Sequence, residues 1–135
     1  MVHSILVVDD EQGILSALDT QLSLLGYEVK TCDNPEEALA LIKAEKFHIV
    51  LTDINMPGMT GIELLREIKR IKPAIQVIMM TAFSTLEKTI DCWEAGASEY
   101  ILKPFDEFNQ VSDIVNLTSE RIKRWEMGAR KSIRK

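Results

Sequence analysis

Nothing in this sequence of 135 residues is long and apolar enough to cross a bilayer, which takes about 20 consecutive apolar residues. Met1 leads into a strand-like segment with no basic stretch and cleavage site ahead of it. The expectation is a cytoplasmic protein with no membrane partner. Cysteine is scarce: Cys32 and Cys92 stand far apart, form no CxxC pattern and have apolar neighbours, so they read as buried free thiols rather than a disulfide or metal site. Histidine is equally scarce, and His3 and His48 read as ordinary surface or packing residues. Basic charge is in deficit, with a net charge of −5, which excludes a nucleic-acid surface on the domain body because duplex phosphates require a basic stripe.

The deficit is uneven. From Thr118 to Lys135 there are seven basic residues against two acids, so this tail carries +5 and the preceding 117 residues carry −10. The shift divides the chain into a body, 1–117, and a basic C-terminal helical extension or linker, 118–135. With 46% hydrophobic and 27% charged residues, the length suits one domain with one sizeable core.

Short apolar runs alternate with helical periodicities along the body. Ile5 to Val8 reads as a buried strand delivering Asp9, Asp10 and Glu11 to its carboxyl end. A helix over about 12–25 follows, stopped by Gly26, and Tyr27 to Cys32 is the second strand. Asn34-Pro35-Glu36-Glu37 is a helix start with Asn34 as N-cap and Pro35 at the first helical position, and that helix runs to about Lys46. Ile49 to Asp53 is the central strand, broken at once by Pro57, Gly58 and Gly61. Helices over 62–71 and about 84–95 flank a fourth strand, Gln76 to Met80, that ends in Thr81. A fifth strand, Glu99 to Leu102, ends in Lys103-Pro104, and a last helix starts near Asp106.

Five strands alternating with five helices predict an α/β fold with a doubly wound parallel sheet and right-handed crossovers. The flavodoxin-like order 2-1-3-4-5 gives strands one and three a shared crevice. Apolar spacing in the last helix continues through Ile122 and Trp125, so that helix is expected to pass the sheet and reach about Met127, as a homodimer contact or as a linker.

In a parallel sheet all carboxyl ends lie on one edge, so Asp9, Asp10, Asp53, Thr81 and Lys103 converge there. Three carboxylates in one crevice repel unless a cation binds among them, and Mg²⁺ suits an all-oxygen donor set. A metal, a hydroxyl and a lysine around one more carboxyl oxygen provide what phosphoryl transfer needs, with Asp53 as nucleophile and Thr81 and Lys103 binding phosphoryl oxygens. Taken singly, each residue has a plainer reading: Asp9 or Asp10 as a helix cap, Asp53 as an Asx-turn residue, Thr81 as a cap and Lys103 as a loop lysine. Their occurrence together at successive strand ends is what carries the chemistry.

In this combination the sequence resembles a bacterial response-regulator receiver domain. The resemblance covers Ser4 to about Leu117 through Val7-Val8-Asp9-Asp10-Glu11, Thr52-Asp53-Ile54-Asn55-Met56-Pro57-Gly58, Met80-Thr81-Ala82 and Tyr100-Ile101-Leu102-Lys103-Pro104-Phe105. It implies a two-component signalling domain, not an enzyme in its own right, that assists its own phosphorylation and dephosphorylation. Asp53 would take a phosphoryl group from a sensor histidine kinase or phosphotransfer protein. Asp10, Asp53 and the Asn55 carbonyl would hold Mg²⁺, with Asp9 acting through a metal-bound water. Thr81 and Tyr100 resemble the family's switch residues, coupling the crevice to the surface of the fourth helix, fifth strand and fifth helix and so to a downstream effector or output domain. The Lys103-Pro104 bond is expected to be cis. Asn55 and Phe83 occupy positions that influence dephosphorylation in the family, and an apolar Phe83 predicts slow self-hydrolysis.

Three rival functions make different demands. A haloacid-dehalogenase-like phosphohydrolase needs a second Asp two residues after the nucleophile, where this chain has Asn55. A flavodoxin needs a Ser/Thr/Gly-rich phosphate loop after strand one, where Asp9-Asp10-Glu11 would repel the phosphate. A receiver reduced to a docking module would lack part of the constellation that is complete here.

Overall fold

The computed structural model describes residues 2–82, 85–103 and 108–133. The apolar runs form strands β1 (Ser4–Val8), β2 (Glu28–Cys32), β3 (Ile49–Asp53), β4 (Gln76–Thr81) and β5 (Glu99–Leu102). Between and after them come helices α1 (Gln12–Leu24), α2 (Pro35–Ala44), α3 (Gly61–Ile71), α4 (Leu86–Glu94) and α5 (Phe108–Ile133). The strands form one parallel sheet, as the alternating pattern predicts, and their order is β2-β1-β3-β4-β5, the one expected from a crevice shared by strands one and three.

Side-chain alternation along the central strands fills two cores, one on each face of the sheet. Leu6, Val8, Val50, Val77 and Met79 pack with Ala38 and Ile42 of α2, Leu64, Leu65 and Ile68 of α3 and Cys92 of α4. Ile5, Val7, Ile49, Leu51, Ile78 and Met80 point the other way, onto Leu15, Leu18 and Leu22 of α1 and Val111 and Val115 of α5. Each fully buried aliphatic side chain contributes about 1.5–3 kcal/mol. β3 is buried at all five positions, so its terminal Asp53 is carried into the interior by the apolar residues before it. Both cysteines are buried free thiols, and burial pushes the Cys32 thiol up to about 11.

Capping chemistry sets the helix ends. Asn34 accepts from the Glu37 N–H at 2.8 Å with Pro35 at the first helical position, while Thr60 and Thr85 accept from the N–H groups of Glu63 and Lys88. Lys72 Nζ donates to the carbonyls of Ile42 at 2.5 Å and Glu45 at 3.2 Å, which closes α2 at Ala44, two residues short of the predicted Lys46. Helix α5 departs further from expectation, continuing to Ile133 instead of Met127. Its 26 residues span about 39 Å, more than twice the roughly 17 Å of a five-residue strand. The start of this helix at Asp106, Phe83, Ser84 and the Lys103-Pro104 bond lie outside the described residues.

Candidate functional site

At the carboxyl edge the sheet delivers the predicted residues to one crevice. Asp9 is fully buried just after β1, Asp53 is 5% exposed at the end of β3, Thr81 is fully buried at the end of β4, and Lys103 follows β5. The Lys103 ammonium lies 2.6 Å from Asp9 Oδ2, 3.4 Å from Asp53 Oδ2 and 3.4 Å from Glu11 Oε1. Lysine and the two strand-end acids are 50 and 94 residues apart in sequence at most, yet strand order alone makes them neighbours. Glu11, expected at this strand end with Asp9 and Asp10 but given no role at the site, also reaches the ammonium.

Backbone geometry fixes these side chains. Asp9 Oδ1 accepts from the Glu11 N–H at 2.9 Å, and Asp53 Oδ1 accepts from the Asn55 N–H at 3.3 Å. Asp53 therefore does make the Asx-type bond of its plainer reading and Asp9 makes a similar one, each with its other carboxyl oxygen turned to Lys103. Neither Asp9 nor Asp10 caps α1, whose N-cap is Glu11, and α4 is capped by Thr85 rather than Thr81. Asn55 Nδ2 donates to Thr81 Oγ1 at 3.3 Å, linking the β3 loop to the end of β4. The loop closes where the Gly61 N–H donates to the Ile54 carbonyl at 2.9 Å. A Cβ on Gly61 would sit 2.1 Å from the Asp53 carbonyl oxygen, so this approach excludes every side chain.

The electrostatics are unbalanced. Burial pushes the Asp9 and Asp53 carboxyls above their ordinary values, and Lys103 only partly offsets it. Burial lowers the Lys103 ammonium, but the hydrogen bond and charge of Asp9 outweigh it and hold the group above its usual range. Asp9, Asp10, Glu11 and Asp53 each offer a carboxylate oxygen, all within 4.8 Å of one another, around that one ammonium. An all-oxygen set with excess negative charge is the chemistry of a hard divalent cation.

Tyr100 lies partly buried against the α2–α3 core, and its hydroxyl is shielded with no hydrogen-bond partner among the described residues. A second polar cluster, which sequence reasoning missed, lies at the opposite edge. His3 is 1% exposed; its Nδ1 is 2.7 Å from Ser119 Oγ and its Nε2 is 3.0 Å from Glu126 Oε1. Its ring centroid is 4.6 Å from that of His48.

A parallel sheet in this order, with an acidic pair, a central aspartate, a threonine and a lysine on its carboxyl edge, defines a phosphoacceptor-type α/β module. The chain belongs to the response regulator receiver domain family, whose sequence model matches residues 5–116. It is 36% identical over 106 residues to the response regulator protein FleR of Pseudomonas aeruginosa, covering 78% of this chain and 22% of that protein. It is 41% identical over 102 residues to the transcriptional regulatory protein ZraR of Salmonella typhimurium, covering 76% of this chain and 23% of the relative. The chain thus spans about a quarter of the length of these curated relatives. Among solved structures, a CheY-like response regulator receiver domain protein from Methanospirillum hungatei superposes with a TM-score of 0.84 at 35% identity, over 92% of this chain and 99% of that one. The response regulator TrrA of Thermotoga maritima, in complex with Mg²⁺-BeF, gives 0.78 at 37% identity, over 87% of this chain and 99% of that one. As a receiver domain of the two-component type, the protein is a signalling domain.

Proposed function

We propose that Asp53 accepts a phosphoryl group from the phosphohistidine of a sensor histidine kinase or phosphotransfer protein. The P–N bond to the imidazole breaks, its electron pair returns to the ring nitrogen, and a P–O bond forms to an Asp53 carboxylate oxygen. The observation that carries this reading is Asp53 Oδ2 held 3.4 Å from the Lys103 ammonium at the buried end of β3. Lys103 is positioned to bind a phosphoryl oxygen, and the Thr81 hydroxyl, at the neighbouring strand end, to bind another. The Asn55 amide, which donates to Thr81, cannot supply the proton that a phosphohydrolase needs.

The clustered carboxylates fit Mg²⁺, with Asp10, Asp53 and the Asn55 carbonyl as direct ligands and Asp9 acting through a water. The Mg²⁺-BeF complex of the Thermotoga relative supports this assignment. When bound, the ion supplies positive charge for the transferring oxygens. Thr81 and Tyr100 serve as the switch. Thr81 moves toward the phosphoryl group, and Tyr100 adjusts within the space left, which changes the α4–β5–α5 surface. That surface already displays Leu86, Ile90 and Trp93 of α4, exposed by 79%, 39% and 77%, in an apolar stripe suited to a downstream effector. Two states of such a switch differ by a few kcal/mol, and complete reversal needs about 5 kcal/mol, so some active-like population without phosphate is expected. Residues 118–135 serve as the connection to an output domain, rooted by the buried Thr118 and Ser119. The site is proposed to act in the cytoplasm, where kinase phosphohistidines are presented.

Incubation with a small acyl phosphate and Mg²⁺, followed by intact mass, tests the assignment. Wild type gains one phosphoryl group and Asp53→Asn gains none; equal labelling of the two would refute it. Phosphotransfer from a phosphorylated kinase to wild type but not to Asp53→Asn tests the donor.

A further inference from the structure

The overshoot of α5 builds a groove at the amino edge of the sheet, on the far side of the molecule from Asp53. One wall is α5, with Ile122 and Trp125; the floor and other wall come from Phe47 and His48 before β3 and from Pro73 to Gln76 before β4. Its volume is about 890 Å³ and its lining is mainly apolar, yet Trp125 remains 77% exposed. The α5 wall is fixed rather than adaptable. The Ser119 hydroxyl donates to His3 Nδ1 at 2.7 Å, and the proton on His3 Nε2 is donated to the Glu126 carboxylate at 3.0 Å.

His3, His48 and Glu126 bring one ligand atom each within 4.8 Å of the others, but hydrogen bonding argues against a metal there. The Ser4 N–H donates to His48 Nδ1 at 3.0 Å, which places the His48 proton on Nε2 and leaves that nitrogen no lone pair for a cation. The same bond leaves the Nε2–H buried, with no acceptor among the described residues.

Charge selects the occupant. The groove is rimmed by Lys46, Lys72 and Arg121; Arg121 is paired with Glu99 at 3.3 Å and Glu126 is held by His3, whereas Lys46 and Lys72 have no carboxylate partner among the described residues. This is a cationic rim on a body whose first 117 residues carry −10. A second copy of α5 would bring its own basic tail, +5 over Thr118 to Lys135, onto that rim. We propose that this groove docks an acidic amphipathic helix of a partner protein. The helix lays its apolar side chains on Phe47, Ile122 and Trp125 and its carboxylates against Lys46 and Lys72. The site is separate from the phosphoacceptor crevice and does not depend on its assignment.

Fluorescence anisotropy of a labelled synthetic helix tests it, using the full chain and a peptide of about 18 residues, roughly 27 Å long, with Leu on one face and Glu on the other. A counterpart with Lys in place of Glu is the charge control. The acidic peptide should bind saturably and at least about tenfold more tightly than the basic one, a difference of about 1.4 kcal/mol. Trp125→Ala and Lys46→Glu should each weaken it about fivefold or more, while Trp93→Ala on α4 leaves it unchanged. Circular dichroism confirms that the variants are folded, as expected for substitutions at the exposed Trp125 and at Lys46 on an exposed loop. No saturable binding, equal binding of both peptides, or binding lost in Trp93→Ala and kept in Trp125→Ala would overturn the proposal. So would light scattering that shows a wild-type dimer abolished by Trp125→Ala, since the groove would then hold a second copy.

Discussion

The two edges of the sheet solve the problem of buried polar groups in opposite ways. At the carboxyl edge, Asp9 and Asp53 share one ammonium with Glu11 nearby, and burial leaves both aspartates above their ordinary pKa. At the amino edge, Ser119, His3 and Glu126 are linked by hydrogen bonds and carry one part-exposed carboxylate, and the neighbouring His48 Nε2 is the polar atom left without a partner among the described residues. Paired polar groups stabilise a junction, whereas an excess of one charge stores unfavourable energy that a ligand of opposite sign can release. The imbalance, more than the presence of polar residues, separates the carboxyl edge from the amino edge.

Removing Lys103 should have the largest effect. Lys103→Met leaves Asp9 and Asp53 buried without a counter-charge, and urea denaturation without metal should show a loss of about 3–5 kcal/mol. Lys103→Met combined with Asp53→Asn should recover a good part of that loss. A cost below about 1 kcal/mol would mean that the crevice is not held together by its one ammonium. Gly61→Ala comes next: the new methyl meets backbone at 2.1 Å, so stability should fall by about 1–3 kcal/mol and the acyl-phosphate labelling of Asp53 should slow.

The amino edge should respond with stability alone. His3→Ala unpairs Ser119 and Glu126 and empties a buried site, costing about 2 kcal/mol by denaturation. Labelling at Asp53 should be unchanged; a slowed reaction would show that the two edges communicate through α5. Tyr100→Phe has the opposite sign. Deleting a shielded hydroxyl that has no partner among the described residues should stabilise the chain by about 1 kcal/mol.

This contrast also explains what the sequence made legible. The crevice could be read in advance because strand ends in a parallel sheet converge by topology, so Asp9, Asp53, Thr81 and Lys103 needed only the correct strand boundaries. Asn34 and Pro35 likewise announce α2 through local capping chemistry. His3, Ser119 and Glu126 gave no such signal, because they meet only if α5 outruns the sheet and folds beside the start of β1. Helix length past a sheet depends on tertiary partners, and the apolar spacing of Ile122 and Trp125 faded before Gly128 while the helix continued to Ile133. Tyr100 shows the same limit, since nothing local indicates that its hydroxyl has no partner among the described residues.

The smallest expected effect is the pH response of the amino edge. The His3 hydrogen bond holds the Glu126 carboxyl below its ordinary value of 4.5. A carboxyl depressed in the folded state contributes stability that is present above the unfolded value and is lost as pH falls through the folded one. The loss should therefore begin below about pH 4.5 and be confined to the end of α5, because Glu126 anchors that helix after the sheet has ended. Amide hydrogen exchange compared at pH 6 and pH 4, corrected for intrinsic rates, should show faster opening in Ile122 to Ala129 at the lower pH, while α1 keeps its protection. Glu126→Gln should retain an acceptor for the His3 N–H and abolish the difference between the two conditions. If the helix end opens equally at both pH values in wild type, the carboxylate does not hold it, and the groove beside Trp125 rests on apolar packing alone.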